Sequence, residues 1–259
     1  MARFDSYWLL GRAFIFIMMK IFSLSAIASR SVAFIAVCLL IFGCHSDHDF
    51  TRSEISLLAE ADSIMRVLTI ENPSDLAVLR AASCDFSSEA LLSDEFSRLA
   101  ELMVATVTHP SQDGVGIAGP QVGLNRRVVA VQRFDKEGEP FEVYPNIRIV
   151  WQSDSVEFGP EGCLSVPDRR EDVARSQEII IEYTVVPGLN CDSDCYDNRT
   201  ADSNMDGSNM DEGNNQNTIT EISLNTVRDT ISGFTAVIFQ HEVDHLDGIL
   251  YIDRVAESF

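Results

Sequence analysis

The sequence predicts an α+β domain, with antiparallel-rich sheets packed around a C-terminal helix that carries two histidines. Two observations lead there: short β-branched runs bounded by turn formers fill the middle of the chain, and a helical pattern follows them at the end. The chain has 259 residues, 46% hydrophobic and 23% charged, enough to bury a core and to carry one catalytic domain with appendages. The formal charge of -21, from 19 Lys+Arg against 40 Asp+Glu, excludes a general phosphate-binding face, so no nucleic acid is expected as partner.

Residues 1–43 read as a signal or anchor segment. Residues 13–42 are dominated by apolar side chains, and Val32–Phe42 is short for a bilayer span but suits a signal-peptide core. Lys20 and Arg30 supply the positive flank, and a start at Met18 or Met19 fits this reading. Ile41-Phe42-Gly43-Cys44 resembles a bacterial lipobox, which makes Cys44 the expected lipidation site, although Phe42 is bulkier than that pattern favours. An uncleaved anchor helix over 13–42 is the alternative. Either way the chain is expected to be tethered to a membrane; the lipidation reading makes it a bacterial lipoprotein facing the periplasm or cell surface.

Residues 44–64 are expected as a tether and N-terminal helix, the partial helical pattern running from Thr51 to about Val67 through Ile55, Leu58, Ala59, Asp62 and Met65, with Ser53 as N-cap. A catalytic domain follows over 65–255. A second helix is predicted over Ser88–Thr108, where Leu91, Leu92, Phe96, Leu99, Leu102, Met103 and Val107 recur at threes and fours. Strands are predicted at Arg127–Gln132, Glu142–Tyr144, Ile147–Val150, Ser176–Tyr183 and Ile219–Val227, before a helix from about Ser232 to Leu246. Between the last two strands, residues 188–218 form a low-complexity acidic insertion of Asn, Asp, Ser and Gly that cannot build a core. The six cysteines are too few and scattered for a disulfide framework. Cys38 reads as a small buried thiol and Cys84 lacks reactive neighbours, while Cys191 and Cys195 could form a small disulfide or bind metal.

Three motifs carry the chemistry. His241-Glu-Val-Asp-His245 sets two imidazoles four apart, on one face of a helix, with a carboxylate beside the first. This is metal-ligand spacing, and a solvated helix face is the bland alternative. His241, Glu242, His245 and Gly248 match the metzincin template, but Tyr251 stands where its third histidine belongs, and Glu257 is the sole downstream candidate for a ligand. A third ligand upstream is available in Glu161-Gly-Cys-Leu-Ser-Val-Pro167, at Cys163, with Pro167 expected to stop the local strand. Gly114-Val-Gly-Ile-Ala-Gly-Pro-Gln-Val-Gly123 is glycine-rich but lacks the Lys-Ser/Thr ending of a phosphate loop.

In this order the three segments resemble the motifs of the peptide deformylase family, and the similarity runs from about Met65 to Arg254. Asp75–Arg80 resembles the family's N-terminal strand ending in Leu-Arg, while Ile117 and Gly119 replace the usual Leu and Ala, the glycine being expected to loosen the loop. The resemblance implies a hydrolase that releases formate from N-formyl-methionyl peptides. It implies one divalent metal ion, Fe2+ by family habit with Zn2+ possible, held by Cys163, His241 and His245. Glu242 would be the general base, with the Gln121 amide and the Leu164 backbone N–H holding the oxyanion; a Gln121 that merely caps a turn is the alternative. Substrate contacts would come from Val115, Gly116, Phe234, Val237, Ile238 and Arg170, with Arg175 as a further basic candidate. A different metal-dependent amidase or peptidase, and a non-catalytic surface lipoprotein, are the competing readings.

Overall fold

The computed structural model describes residues 49–190 and 224–255. The expected signal segment, Cys44, Cys191, Cys195 and nearly all of the expected insertion at 188–218 lie outside the described residues. No helix among the described residues is long and apolar enough to cross a membrane.

Helix α1 spans Arg52–Glu60, and Thr51 caps it in a reciprocal box with Glu54. It is therefore shorter than expected and capped two residues earlier than Ser53. The chain turns extended at Ala61 because the segment beyond is needed elsewhere. Its N–H groups reach across the domain: Met65 to Thr106 Oγ1 (2.8 Å), Leu68 to the Gln121 carbonyl (2.8 Å) and Ile70 to the Ser165 carbonyl (2.9 Å). Where a strand was expected at Asp75–Arg80 there is a helix, α2 (Pro73–Leu79). Asn72 caps it and Pro73 occupies its first position, where a missing N–H costs nothing. The expected long second helix is two: α3 (Ser88–Leu91) and α4 (Asp94–Val107), broken where the Ser93 side chain caps the second.

Strands β1 (Gly116–Ala118), β2 (Val128–Gln132) and β3 (Phe141–Pro145) form one antiparallel sheet, in that order. Strands β4 (Arg148–Gln152), β7 (Glu178–Thr184) and β8 (Thr226–Ser232) form a second, in the order β4-β7-β8. Of the expected strand Ile219–Val227, residues 219–223 lie outside the described residues; strand β8 starts at Thr226 and runs to the cap of the last helix, in register with β7 from Thr184↔Thr226 to Glu178↔Ser232. Between the sheets in sequence, β5 (Val156–Cys163) and β6 (Val166–Ser176) make a hairpin that the sequence reading missed. Pro167 does not stop that strand; it lies inside β6.

Helix α5 (Gly233–Leu246) is the axis of the domain. Strand β2 shows why both of its faces are apolar. Val128 and Ala130 join a core with Phe96, Leu99 and Met103 of α4, whereas Val129 and Val131 face Ile179, Ile181 and Ile231 of the second sheet together with Phe239 and Leu246 of α5. Each such side chain removed fully from water contributes about 1.5–3 kcal/mol. The consequence is that α5 is held from several sides, and the side chains it presents have fixed places.

Candidate active site

The two histidines four apart on α5 share a face, with ring centroids 5.2 Å apart. His241 turns Nδ1 to Glu161 Oε2 at 2.8 Å, which leaves Nε2 pointing away from that carboxylate. His245 Nε2 lies 3.2 Å from Cys163 Sγ. Cys163 ends β5, and because Cys163 pairs with Val166, Leu164 and Ser165 form a two-residue turn between the strands. One ligand atom from each of Cys163, His241 and His245 lies within 4.8 Å of the others. A sulfur and two imidazole nitrogens at that spacing suit a single small divalent ion with an open fourth position. Burial pushes the Cys163 thiol up, but the neighbouring imidazoles outweigh it and hold it well below the usual thiol range, which favours the thiolate form that binds metal.

Glu242 sits beside this group without belonging to it. Its carboxylate is buried and Oε2 has no hydrogen-bond partner among the described residues. Burial drives its pKa up to about 7, against the pull of His241 and His245, so the group is poised to take or give a proton near neutrality. Strand β1 passes so close that a Cβ on Gly116 would come within 2.5 Å of Glu242 Oε1. Gly119 is similarly obligatory rather than loose, since a Cβ there would meet the carbonyls of Arg126 at 2.6 Å and Leu124 at 2.8 Å.

The Gln121 side chain closes a local turn with its oxygen and faces the cluster with its nitrogen. Its Oε1 accepts from the Ala118 N–H at 2.8 Å, which closes the turn and fixes the amide. Nε2 is thereby aimed the other way, 3.5 Å from Cys163 Sγ and 3.3 Å from Ser165 Oγ. The extended Met65–Ile70 segment ties down the backbone of both Gln121 and Ser165. Sequence reasoning missed that clamp, because it uses backbone groups that no side-chain pattern marks.

A cleft of about 410 Å³ opens onto the cluster. Val115, Gly116, Leu164, Arg170, Phe234 and Val237 all line it, together with Ile238. Phe234 stands at the mouth, 58% exposed, its ring centroid 5.3 Å from that of Phe134. Arg175 is a correction. It is buried, bonded to Glu161 through Nε (2.6 Å) and Nη2 (2.9 Å) and to Asp244 through Nη1 (2.6 Å). Residues an odd number apart on a strand face opposite ways, so Arg170 reaches the cleft and Arg175 the interior. Arg254 pairs with Asp244 as well.

The Glu161 bridge has a pH signature. Burial raises its carboxyl, but the bonds from Arg175 and His241 prevail and hold it at about 2, against an ordinary 4.5. A folded-state pKa below the unfolded one contributes stability that is complete above the unfolded value and lost as pH falls towards the folded one. Urea midpoints of the metal-free protein should therefore drop between about pH 5 and 2. Glu161→Gln should flatten that drop; an unchanged slope would show the bridge is not formed.

Comparison with known proteins gives a consistent picture. The family model described as polypeptide deformylase matches residues 64–196 and 216–258. Peptide deformylase 2 of Gloeobacter violaceus is 32% identical over 180 residues, which are 69% of this chain and 74% of that protein. The peptide deformylase of Caulobacter vibrioides is 29% identical over 196 residues, covering 75% and 89%. Among solved structures, the actinonin-bound class I type b peptide deformylase of Acinetobacter baumannii superposes with a TM-score of 0.54 at 27% identity, covering 75% of this chain and all of that one (100%).

Proposed function

This chain belongs to the polypeptide deformylase family, and from that premise we propose that Cys163, His241 and His245 hold one divalent ion while Glu242 acts as general base towards the attacking water. The enzyme is a hydrolase that removes the formyl group from N-formyl-methionyl peptides, giving formate and a free N-terminal methionine. The observation that supports the residue roles is the buried Oε2 of Glu242, unpartnered among the described residues, beside the three-ligand cluster at the base of the cleft.

When bound, the ion supplies Lewis acidity and makes a water a better nucleophile at neutral pH. Glu242, poised near 7, takes the proton of the attacking water and returns it to the leaving amine. The Gln121 Nε2 amide and the Leu164 backbone N–H, which follows Cys163 in the tight turn, hold the oxygen on which charge develops. Their orientation is fixed beforehand, by the Ala118 bond to Gln121 and by the hairpin turn. Val115, Phe234 and Val237 take the methionine side chain, and Gly116 and Arg170 meet the peptide beyond it. Ferrous iron is the proposed ion, with zinc as the alternative, since a thiolate with two imidazoles accepts either. Formate release from a formyl-methionyl peptide is the test. An enzyme that cleaves acetylated peptides instead, or that releases no formate with its metal loaded, would be another amidase on this scaffold.

The division into a targeting segment (1–43), a tether and a catalytic domain (65–255) is part of the same proposal. So are lipidation at Cys44, attachment to a membrane outside the cytoplasm, and the acidic insertion at 188–218. The apolar run before Gly43-Cys44 supports the first points. The two stretches matched by the family model leave 197–215 unmatched, which supports the insertion. Mass spectrometry of the mature N-terminus decides lipidation, and an unmodified chain continuing through Gly43 would overturn it. Replacing residues 192–216 by a short Gly/Ser turn should leave the circular dichroism and the metal content unchanged, because loop entropy depends only weakly on length and no proposed ligand lies there. A deletion variant that unfolds would make the insertion structural.

A further inference from the structure

Tyr251, which occupies the metzincin histidine position, has no part in the mechanism above, yet it is fully buried against the ligand cluster. Its ring lies nearly parallel to His241, with centroids 5.8 Å apart and an interplanar angle of 24°. Glu161 holds His241 in the ring plane, and Tyr251 covers its face. The tyrosine hydroxyl continues past the imidazole and donates to the Arg169 carbonyl at 2.8 Å.

That carbonyl lies in an irregular part of the β5–β6 hairpin. Cys163 pairs with Val166, and the neighbouring Gly162 pairs with Arg170, so one step along β5 corresponds to four along β6. Pro167, Asp168 and Arg169 have no cross-strand counterpart, and Asp168 adopts φ 56°. Arg170 is where the ladder resumes, and its side chain lines the cleft. Tyr251 is anchored on its own side: Asp253 pairs with Arg80, and Val255 bridges to Val173 of β6.

We propose that Tyr251 is a positioning residue, whose ring fixes His241 while its hydroxyl pins the Pro167–Arg169 bulge and so sets the place of Arg170 at the cleft mouth. The expected consequence is a division of labour within one side chain. The hydroxyl governs substrate affinity and the ring governs the metal centre. The affinity part rests on the deformylase reading; the bulge part does not.

Tyr251→Phe keeps the ring and removes only the hydroxyl, so it should fold. The expected results are unchanged metal content and kcat, with a KM for a formyl-methionyl tripeptide raised roughly three- to tenfold, the range a single neutral hydrogen bond commands. Amide exchange at residues 168–170 should quicken. In an Arg170→Ala background the same change should raise KM no further, because the two residues act in series. An unchanged KM, a rise of equal size in the Arg170→Ala background, or unaltered exchange in the bulge would overturn the proposal. Loss of metal in Tyr251→Phe would also overturn it, since the hydroxyl would then act on the centre itself. If the wild-type protein releases no formate, the function reading fails, and the exchange measurement alone still decides whether the hydroxyl pins the bulge.

Discussion

Glu242→Ala is expected to lower kcat by roughly 10²- to 10⁴-fold while the protein keeps its metal. The carboxylate lies outside the ligand cluster, so removing it leaves the sulfur and both imidazole nitrogens in place. Fold should survive too, because Oε2 makes no hydrogen bond among the described residues that would be lost and α5 is held by Phe239, Val243 and Leu246 in the core. Atomic absorption and single-turnover formate release separate the two effects. Substantial turnover in the variant would remove Glu242 from the role of base, and loss of metal would make it a ligand.

The fold is legible where apolar spacing is sustained along an element and obscure where exposed polar residues interrupt it. Helix α5 and strand β2 announce themselves because their apolar spacing matches a core on several sides. The β5–β6 hairpin was missed because Val156, Glu157 and Phe158, like Asp168, Arg169 and Arg170, are exposed, so neither the alternation nor a continuous apolar run survives. The continuation of strand β8 past Val227 is obscure for a related reason: Arg228, Asp229 and Thr230 mask a strand whose register is set by its partner β7. At Asp75–Arg80 the local signal is Asn72-Pro73, an N-cap followed by proline, which starts a helix where the family likeness implies a strand.

The residues of the candidate site were legible for a different reason. Histidine, cysteine and glutamate in short fixed spacings are chemically specific, so Cys163, His241 and His245 could be named before any geometry was known. What could not be read is how they are held. Glu161 looked like the flank of a motif and is the partner of His241 Nδ1; Arg175 looked like a substrate contact and is the counter-ion of Glu161 and Asp244. Such pairings join residues up to 80 positions apart, and only the packing of the hairpin against α5 brings them together.

Cys163→Ser is expected to lose the metal and with it turnover, because it removes one of only three proposed protein ligands. Substituting residues that merely support a metal ligand costs about 10- to 100-fold in affinity or activity, so removing a ligand should exceed that range and abolish turnover. In a zincin-like reading the third ligand would instead be Glu257, and Cys163 would be a small half-buried residue whose loss affects only stability. Truncation is the mirror experiment, and the structure says where to cut. Ending the chain after Asp253 would strip Arg254 from Asp244 and Val255 from its bridge to Val173, confounding the result. Ending it after Val255 removes Glu257 and spares both contacts. Metal analysis after dialysis should find the Val255 truncation loaded and Cys163→Ser empty. Full metal in Cys163→Ser together with metal loss on truncation would overturn the ligand set and, with it, the role given to the β5–β6 turn.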